Sequence, residues 1–280
     1  MNNITSIAYA VALFFYAAAF WLLWRHLNTR LQQAHEPAQT VAPNAVSSYA
    51  VLAAFVGLSA QLVVVTNALV QQAPDTTLTL SFLGVSNLVT CVMVGVIALS
   101  AIRVRADNLL LLCLPIAAAS VIALALLPQG RTQPISLESV QIGHILLSIS
   151  AYAALMTAAL QSVLIGVQER RLRSPRSGLL GILPPLESME DLFITMLWLG
   201  LGLLTLSIAT GVLFLQNMFD QRLVHHTVLT TLSWLVYAGF LTGHHLFGWR
   251  GVTGVRWNLA AFALLLLGYL GSKFVLEYLL

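Results

Sequence analysis

Charge is what this chain has least of. Of its 280 residues, 13 are Lys or Arg and 10 are Asp or Glu, 8% in all, where soluble domains carry about 25%. Hydrophobic residues make up 59%, against about 45–50% in soluble domains. No soluble fold hides that much apolar surface, so lipid must be part of the solvent. The few charges fall in short gaps between apolar runs about as long as a bilayer is thick. The formal charge of +3 is spread over helix ends and forms no basic patch, which argues against a nucleic-acid partner.

Other absences narrow the function. The only cysteines, Cys91 and Cys113, both lie in apolar runs and belong to no CxxC or CxxCH. The chain is therefore not itself a c-type cytochrome, and the two thiols read as small buried apolar residues without a disulfide. No basic residue precedes the first apolar run; Arg25 and Arg30 follow it, the reverse of a cleaved signal peptide, so this span is expected to be retained. A Ser-His-Asp order, paired intramembrane carboxylates and a phosphate loop are all missing, which leaves a membrane hydrolase without support. No internal repeat is evident, as an inverted-repeat transporter should show.

What is present is a succession of spans. Windows of about 20 apolar residues place helices near 4–24, 48–70, 79–101, 109–127, 138–167, 191–216, 223–246 and 256–277. The separators carry breakers such as Pro37, Pro43, Pro74, Pro128, Pro134, Pro185, Gly248 and Gly251. The expected fold is an all-α polytopic membrane bundle of about eight transmembrane helices, forming a single integral membrane domain over 1–280. Alternate loops hold Arg25, Arg30, Arg103, Arg105, Arg170, Arg171, Arg173, Arg176, Arg250 and Arg256; the other side has only Arg131, Arg222 and Lys273. This ten-to-three split puts the richer side in the cytosol and both termini outside. Leu186 to Asp191 reads as the start of span six, with Ser188 as its cap and Asp191 closing a capping box.

Seven histidines are the main candidates for chemistry. His35 is expected to be solvated in a loop, and His26 to be a polar anchor beside Arg25. His144 begins span five, and His225 and His226 begin span seven, all on the outer side; His244 and His245 end span seven on the inner side. His226 and His244 share one helix face about 27 Å apart along the axis. Thr230, Ser233 and Tyr237 fall within about 40° of the same line, making a polar stripe that should face the bundle interior. His144 carries Ser148, Ala151 and Ser162 on its own face. It lies within a few Å of the depth of His226. Two neutral imidazoles at matching depth on neighbouring helices suit bis-histidine haem ligation. They would also suit Zn or Cu, but no further Cys, Asp or Met cluster accompanies them. Equally, histidines at helix ends are often plain interfacial residues. Lys273 and Glu277 read as a snorkelling pair, or Lys273 or Arg222 could hold an anionic group such as a haem propionate. Trp24, Trp249, Trp257 and Tyr278 are expected at the membrane interfaces, and Asn67 and Asn87 as interhelical hydrogen bonders.

The run from His144 through Ser150-Ala151-Tyr152-Ala153-Ala154-Leu155 resembles the His-plus-SYAAL helix of the cytochrome c assembly family, haem-handling membrane proteins that include CcsA- and HemX-like members. Glu190-Asp191-Leu192, Leu204 to Gly211, Trp234 to Tyr237 and Gly248-Trp249-Arg250-Gly251 continue the resemblance in order, over about residues 138–257. It implies a multi-pass protein of the bacterial inner (cytoplasmic) membrane that binds b-type haem. His144 would ligate on the outer side with His226 or His225, and His244 or His245 could serve an inner site. The partners implied are lipid, haem and other cytochrome c biogenesis proteins. The chain departs from haem-delivering members in two ways. Its outer loop Gln216 to Val224 has no tryptophan, where they carry a Trp-rich loop ending in W-x-W-D. Thr242 stands where they have an intramembrane histidine, with His244 two residues later. Members without the Trp loop look like accessory or regulatory proteins. The expected role is binding and not substrate turnover. The alternatives are a cofactor-free accessory or regulatory subunit and, third, a small-molecule transporter.

Overall fold

In lipid every backbone N–H and C=O must be satisfied internally, so the apolar runs fold as helices. They are α1 (Asn3–Gln33), α2 (Ala45–Val70), α3 (Phe82–Ala101), α4 (Asp107–Leu126), α5 (Ser139–Leu172), α6 (Leu186–Phe214), α7 (Val224–Phe247) and α8 (Val252–Phe274). The structure, a computed structural model, describes the backbone of 3–33, 45–70, 77–79, 81–102, 106–128, 134–136, 139–172, 184–214 and 224–274, and side chains within 3–29, 48–69, 81–102, 106–128, 141–172, 184–213 and 226–269. His35, the loop 216–223 with Arg222, and Glu277 lie outside the described residues, as do the side chains of His225 and Lys273.

Among the described residues, seven helices are long and apolar enough to cross a membrane; α7 falls short because its polar stripe lowers its hydropathy. Yet α7 runs antiparallel along α8. A Cβ on Gly268 would lie 3.6 Å from Thr230 Oγ1, Ser233 donates to the Ala261 carbonyl (2.7 Å), and a Cβ on Gly254 would lie 3.1 Å from the Phe240 ring. Whatever α8 crosses, α7 crosses too.

Two details differ from the sequence reading. Short strands β1 (Thr77–Thr79) and β2 (Pro134–Ser136) pair antiparallel, with Thr77 opposite Ser136, and tie together the connections ahead of α3 and α5. Helix α6 begins at Leu186, not at a Ser188 cap. Met189 N–H already donates to the Pro185 carbonyl (3.2 Å), so Ser188 lies inside the first turn, beside Glu187. The Pro184-Pro185 pair limits the helix, because proline cannot continue a helical ladder backwards.

The bundle has two halves. Tyr16, Leu23, Met93, Leu110 and Leu114 centre the α1–α4 core, and Leu155, Leu197, Leu204, Tyr237 and Phe240 centre the α5–α8 core. Ala153 of α5 packs into the first core, which makes α5 the bridge. A buried polar network ties the first half together: Tyr16 Oη donates to Gln61 Oε1, while Gln61 Nε2 reaches Asn87 Oδ1 (3.0 Å) and Thr90 Oγ1 (3.2 Å). Asn87 Nδ2 continues it to Ser120 of α4 (3.3 Å). Asn87 is thus the interhelical bonder expected of it, and Asn67 Nδ2 donates to Val63 O one turn earlier (2.8 Å).

In the second half, α6 and α8 both run antiparallel to α5. Ser148 Oγ lies 2.7 Å from Ser207 Oγ, Gln161 donates to the Met189 carbonyl (3.0 Å), and Asn258 donates to Ser162 Oγ (2.9 Å). Since α7 is also antiparallel to α8, α5 and α7 are parallel. Their first turns, with His144 and His226, therefore emerge at one end of the bundle.

Candidate functional site

The polar stripe of α7 faces inward. Thr230 is 7% exposed, and Ser233 and Tyr237 are fully buried, while Val228, Leu232 and Leu235 carry the exposed apolar face. That arrangement is what hydrocarbon demands of a helix with so many hydroxyls. At its first turn the half-buried His226 turns Nδ1 to Thr230 Oγ1 (3.1 Å). On α5 the half-buried His144 turns Nδ1 to Thr210 Oγ1 of α6 (3.1 Å). The two imidazoles stand at the same end of the bundle, on helices that both pack against α8.

Hydroxyl bookkeeping identifies the free nitrogen of His144. Thr210 donates its single proton to the Ser207 carbonyl (2.9 Å), and Ser148 donates to the His144 carbonyl (2.8 Å). With the proton placed on that carbonyl, Thr210 accepts from His144 Nδ1–H, and Nε2 is the bare nitrogen. Neither Nε2 has a hydrogen-bond partner among the described residues, and neither is sealed from its surroundings. Two neutral rings with Nδ1 held by hydroxyls and Nε2 open make a ligand pair.

The other histidines do not join them. His244 ends α7 at the opposite end of the bundle. Its Nδ1–H donates to the Trp249 carbonyl (2.7 Å), and its ring lies 6.1 Å from that of Phe240. His245, the next residue, is exposed and diverges from it, and His26 belongs to α1. No group of three His, Cys, Asp or Glu that could hold a metal occurs among the described residues. Cys91 and Cys113 are buried free thiols.

Trp249 packs on Gly243, where an added Cβ would lie 2.3 Å from the indole, and its ring lies tilted against that of Trp257 at 5.3 Å. Gly248 (φ 67°) ends α7, with Gly248 N–H bonded to His244 O (3.1 Å) and Trp249 N–H to Gly243 O (3.4 Å). The first bond closes the last α-helical turn and the second reaches back six residues, and glycine takes the left-handed position that ends the helix without strain. Glu190 of α6 then accepts from Gly251 N–H (3.1 Å), fastening the turn. Trp249 is therefore a structural element of the inner turn.

The profile of cytochrome c assembly proteins matches residues 49–280. The chain belongs to that family. Inner membrane protein YpjD of Escherichia coli K12 is 31% identical over 196 residues, covering 70% of this chain and 74% of YpjD. A 28.8 kDa protein in the nifR3-like 5′ region of Azospirillum brasilense is 37% identical over 140 residues, covering 49% of this chain and 52% of that one. Protein HemX of Brevibacillus brevis is 28% identical over 131 residues, covering 46% and 48%. No solved structure matches. This member of the cytochrome c assembly family is a multi-pass protein of the bacterial inner membrane.

Sequence spacing had pointed to His144, His226 and Thr230. It passed over Ser207 and Thr210, whose i, i+3 spacing marks one face of α6. Tyr152, quoted only as part of a motif, reaches α8 through its hydroxyl, which donates to the Leu265 carbonyl (3.3 Å).

Proposed function

We propose that this cytochrome c assembly protein handles haem by binding haem b at the outer end of its α5–α8 half, where His144 and His226 would hold the iron. The observation that supports this reading is the pair of imidazoles at one end of the bundle, each with Nδ1 on a threonine hydroxyl and Nε2 without a partner among the described residues. The donor set fits haem better than a bare metal ion. Zn or Cu needs three or four protein ligands, whereas a porphyrin supplies four and asks the protein for two. Such a group would bring a redox-active iron to the outer membrane surface. The chain's own work is to hold two rings at fixed tautomer, to keep the flanking helices closely packed, and to exclude lipid with Tyr152, Tyr269 and Phe82, whose rings stand 5.6 Å apart in succession.

The role is binding and hand-over in cytochrome c biogenesis, not turnover of a substrate. The lack of tryptophan in the loop 216–224 favours, as a second reading, a cofactor-free accessory or regulatory subunit of a membrane complex. Purification in mild detergent from cells supplied with a haem precursor separates the two. Haem detected by its pyridine haemochrome, and lost in the His144→Ala/His226→Ala double variant, supports haem handling. A wild-type protein that stays colourless, co-purifying with partners outside cytochrome biogenesis, supports the second reading and sinks the first.

A further inference from the structure

The end of the bundle opposite the imidazole pair holds a cavity of about 250 Å³. A single water needs only about 10–15 Å³ on the same measure. The first turns of α4 and α6 and the Gln161–Leu164 stretch of α5 enclose it, so it lies where the two halves of the bundle meet.

Its floor is Gln161, only 3% exposed. Nε2 of this amide donates to the Met189 carbonyl of α6 (3.0 Å), which fixes which way the group points and leaves the acceptor, Oε1, on its other side. Oε1 has no partner among the described residues, yet it is not sealed from its surroundings. A buried oxygen left open on a cavity is satisfied by a ligand that donates.

Two helices also present their N-terminal ends there. Leu110 N–H donates to the Ala106 carbonyl (2.9 Å) and Met189 N–H to the Pro185 carbonyl (3.2 Å), so Ala106 and Pro185 stand at the two cap positions, and both line the cavity. Neither alanine nor proline has a side-chain acceptor for the N–H groups of the first turn. The carboxylates of those turns, Asp107 and Glu187, are not among the described lining residues. A paired set of helix N-termini without side-chain caps favours an anion.

We propose that this cavity binds the headgroup of a glycerophospholipid from the adjoining leaflet. Its phosphate lies at the first turns of α4 and α6, and its terminal ammonium or hydroxyl donates to Gln161 Oε1. Three observations favour a lipid over a soluble phosphate ester. Helices α4 and α6 each pack against α5 and share no extended contact with each other, so acyl chains can leave between them. Leu109, Leu164 and Leu192 make the walls apolar. The site is also at the end that carries ten of the 13 basic residues, where anionic headgroups gather. A lipid held there touches both halves and joins them.

Native mass spectrometry of the full chain, titrated with phosphatidylethanolamine, phosphatidylglycerol and phosphatidylcholine of identical acyl chains, tests this. The third lipid has the phosphate but no donor. We expect wild type to bind the first two about 3–10-fold more tightly than the third, the worth of one net hydrogen bond. Gln161→Leu should erase that preference while leaving phosphatidylcholine binding unchanged, which also reports that the variant is folded. Gln161→Glu keeps an acceptor and should keep the preference. Ser188→Trp, at the exposed mouth, should weaken binding of all three. Equal binding of the three lipids by wild type, or a preference that survives both Gln161→Leu and Ser188→Trp, overturns the proposal. Displacement of the lipid by equimolar glycerophosphoethanolamine would show a site for a soluble ester, and would overturn it as well.

Discussion

His144 Nδ1 lies 3.1 Å from Thr210 Oγ1, and this contact between α5 and α6 decides which imidazole nitrogen is available to a ligand. Thr210→Val keeps the shape and deletes the acceptor. It should cost about 10–100-fold in haem affinity, followed by Soret titration, while Thr210→Ser stays near wild type. Equal affinity in the valine variant would show that the hydroxyl does not orient His144.

At the inner end, Gly243 is a packing requirement. A Cβ there would stand 2.3 Å from the Trp249 ring, which is itself held by the turn and by His244. Gly243→Ala should therefore destabilise the protein by about 1–3 kcal/mol, as overpacking does, and expose the indole. A lower thermal midpoint in detergent with red-shifted tryptophan emission is the expected result. An unchanged midpoint would mean the turn yields freely.

In the α1–α4 half, Gln61 joins Tyr16, Asn87 and Thr90 with no exposure of its own. Gln61→Leu leaves the Tyr16 hydroxyl and Asn87 Oδ1 orphaned in a buried site, while Thr90 keeps its bonds to the Asn87 carbonyl and Ser120. The expected loss is about 1–3 kcal/mol per orphaned group, read from thermal or denaturant unfolding. Haem affinity should hardly change, because the network lies in the half remote from the imidazole pair. A matching loss of affinity would show that the two halves are coupled.

The arginine distribution makes an orientation claim open to reporter fusions. Alkaline phosphatase, active only outside the cytosol, should be active when fused at the C-terminus and inactive within the Arg170–Arg176 loop, with a fluorescent-protein fusion giving the opposite pattern. An active phosphatase in that loop would invert the topology and place His144 and His226 in the cytosol.

The spans were legible because apolar run length alone identifies a crossing helix. Their ends were less so. Helix α1 continues to Gln33, through Arg25 and polar residues that no hydropathy window rewards, and α6 starts behind a proline pair two residues before the serine that resembled a cap. Strands of three residues are too short to carry an alternating pattern. The inward stripe Thr230-Ser233-Tyr237 could be read from the 3.6-residue period. That Thr210 faces His144 and Tyr152 reaches Leu265 could not, since period places a residue on a face but does not say which helix lies opposite.

The most direct measurement of the central claim is a haem titration of ligand-free wild type, His144→Gly, His226→Gly and His244→Gly, each without and with added imidazole. Wild type and His244→Gly should give the same low-spin spectrum. His144→Gly and His226→Gly should each lose it and regain it when imidazole fills the vacated position. A low-spin spectrum surviving both outer substitutions, or vanishing only with His244, would contradict the assignment.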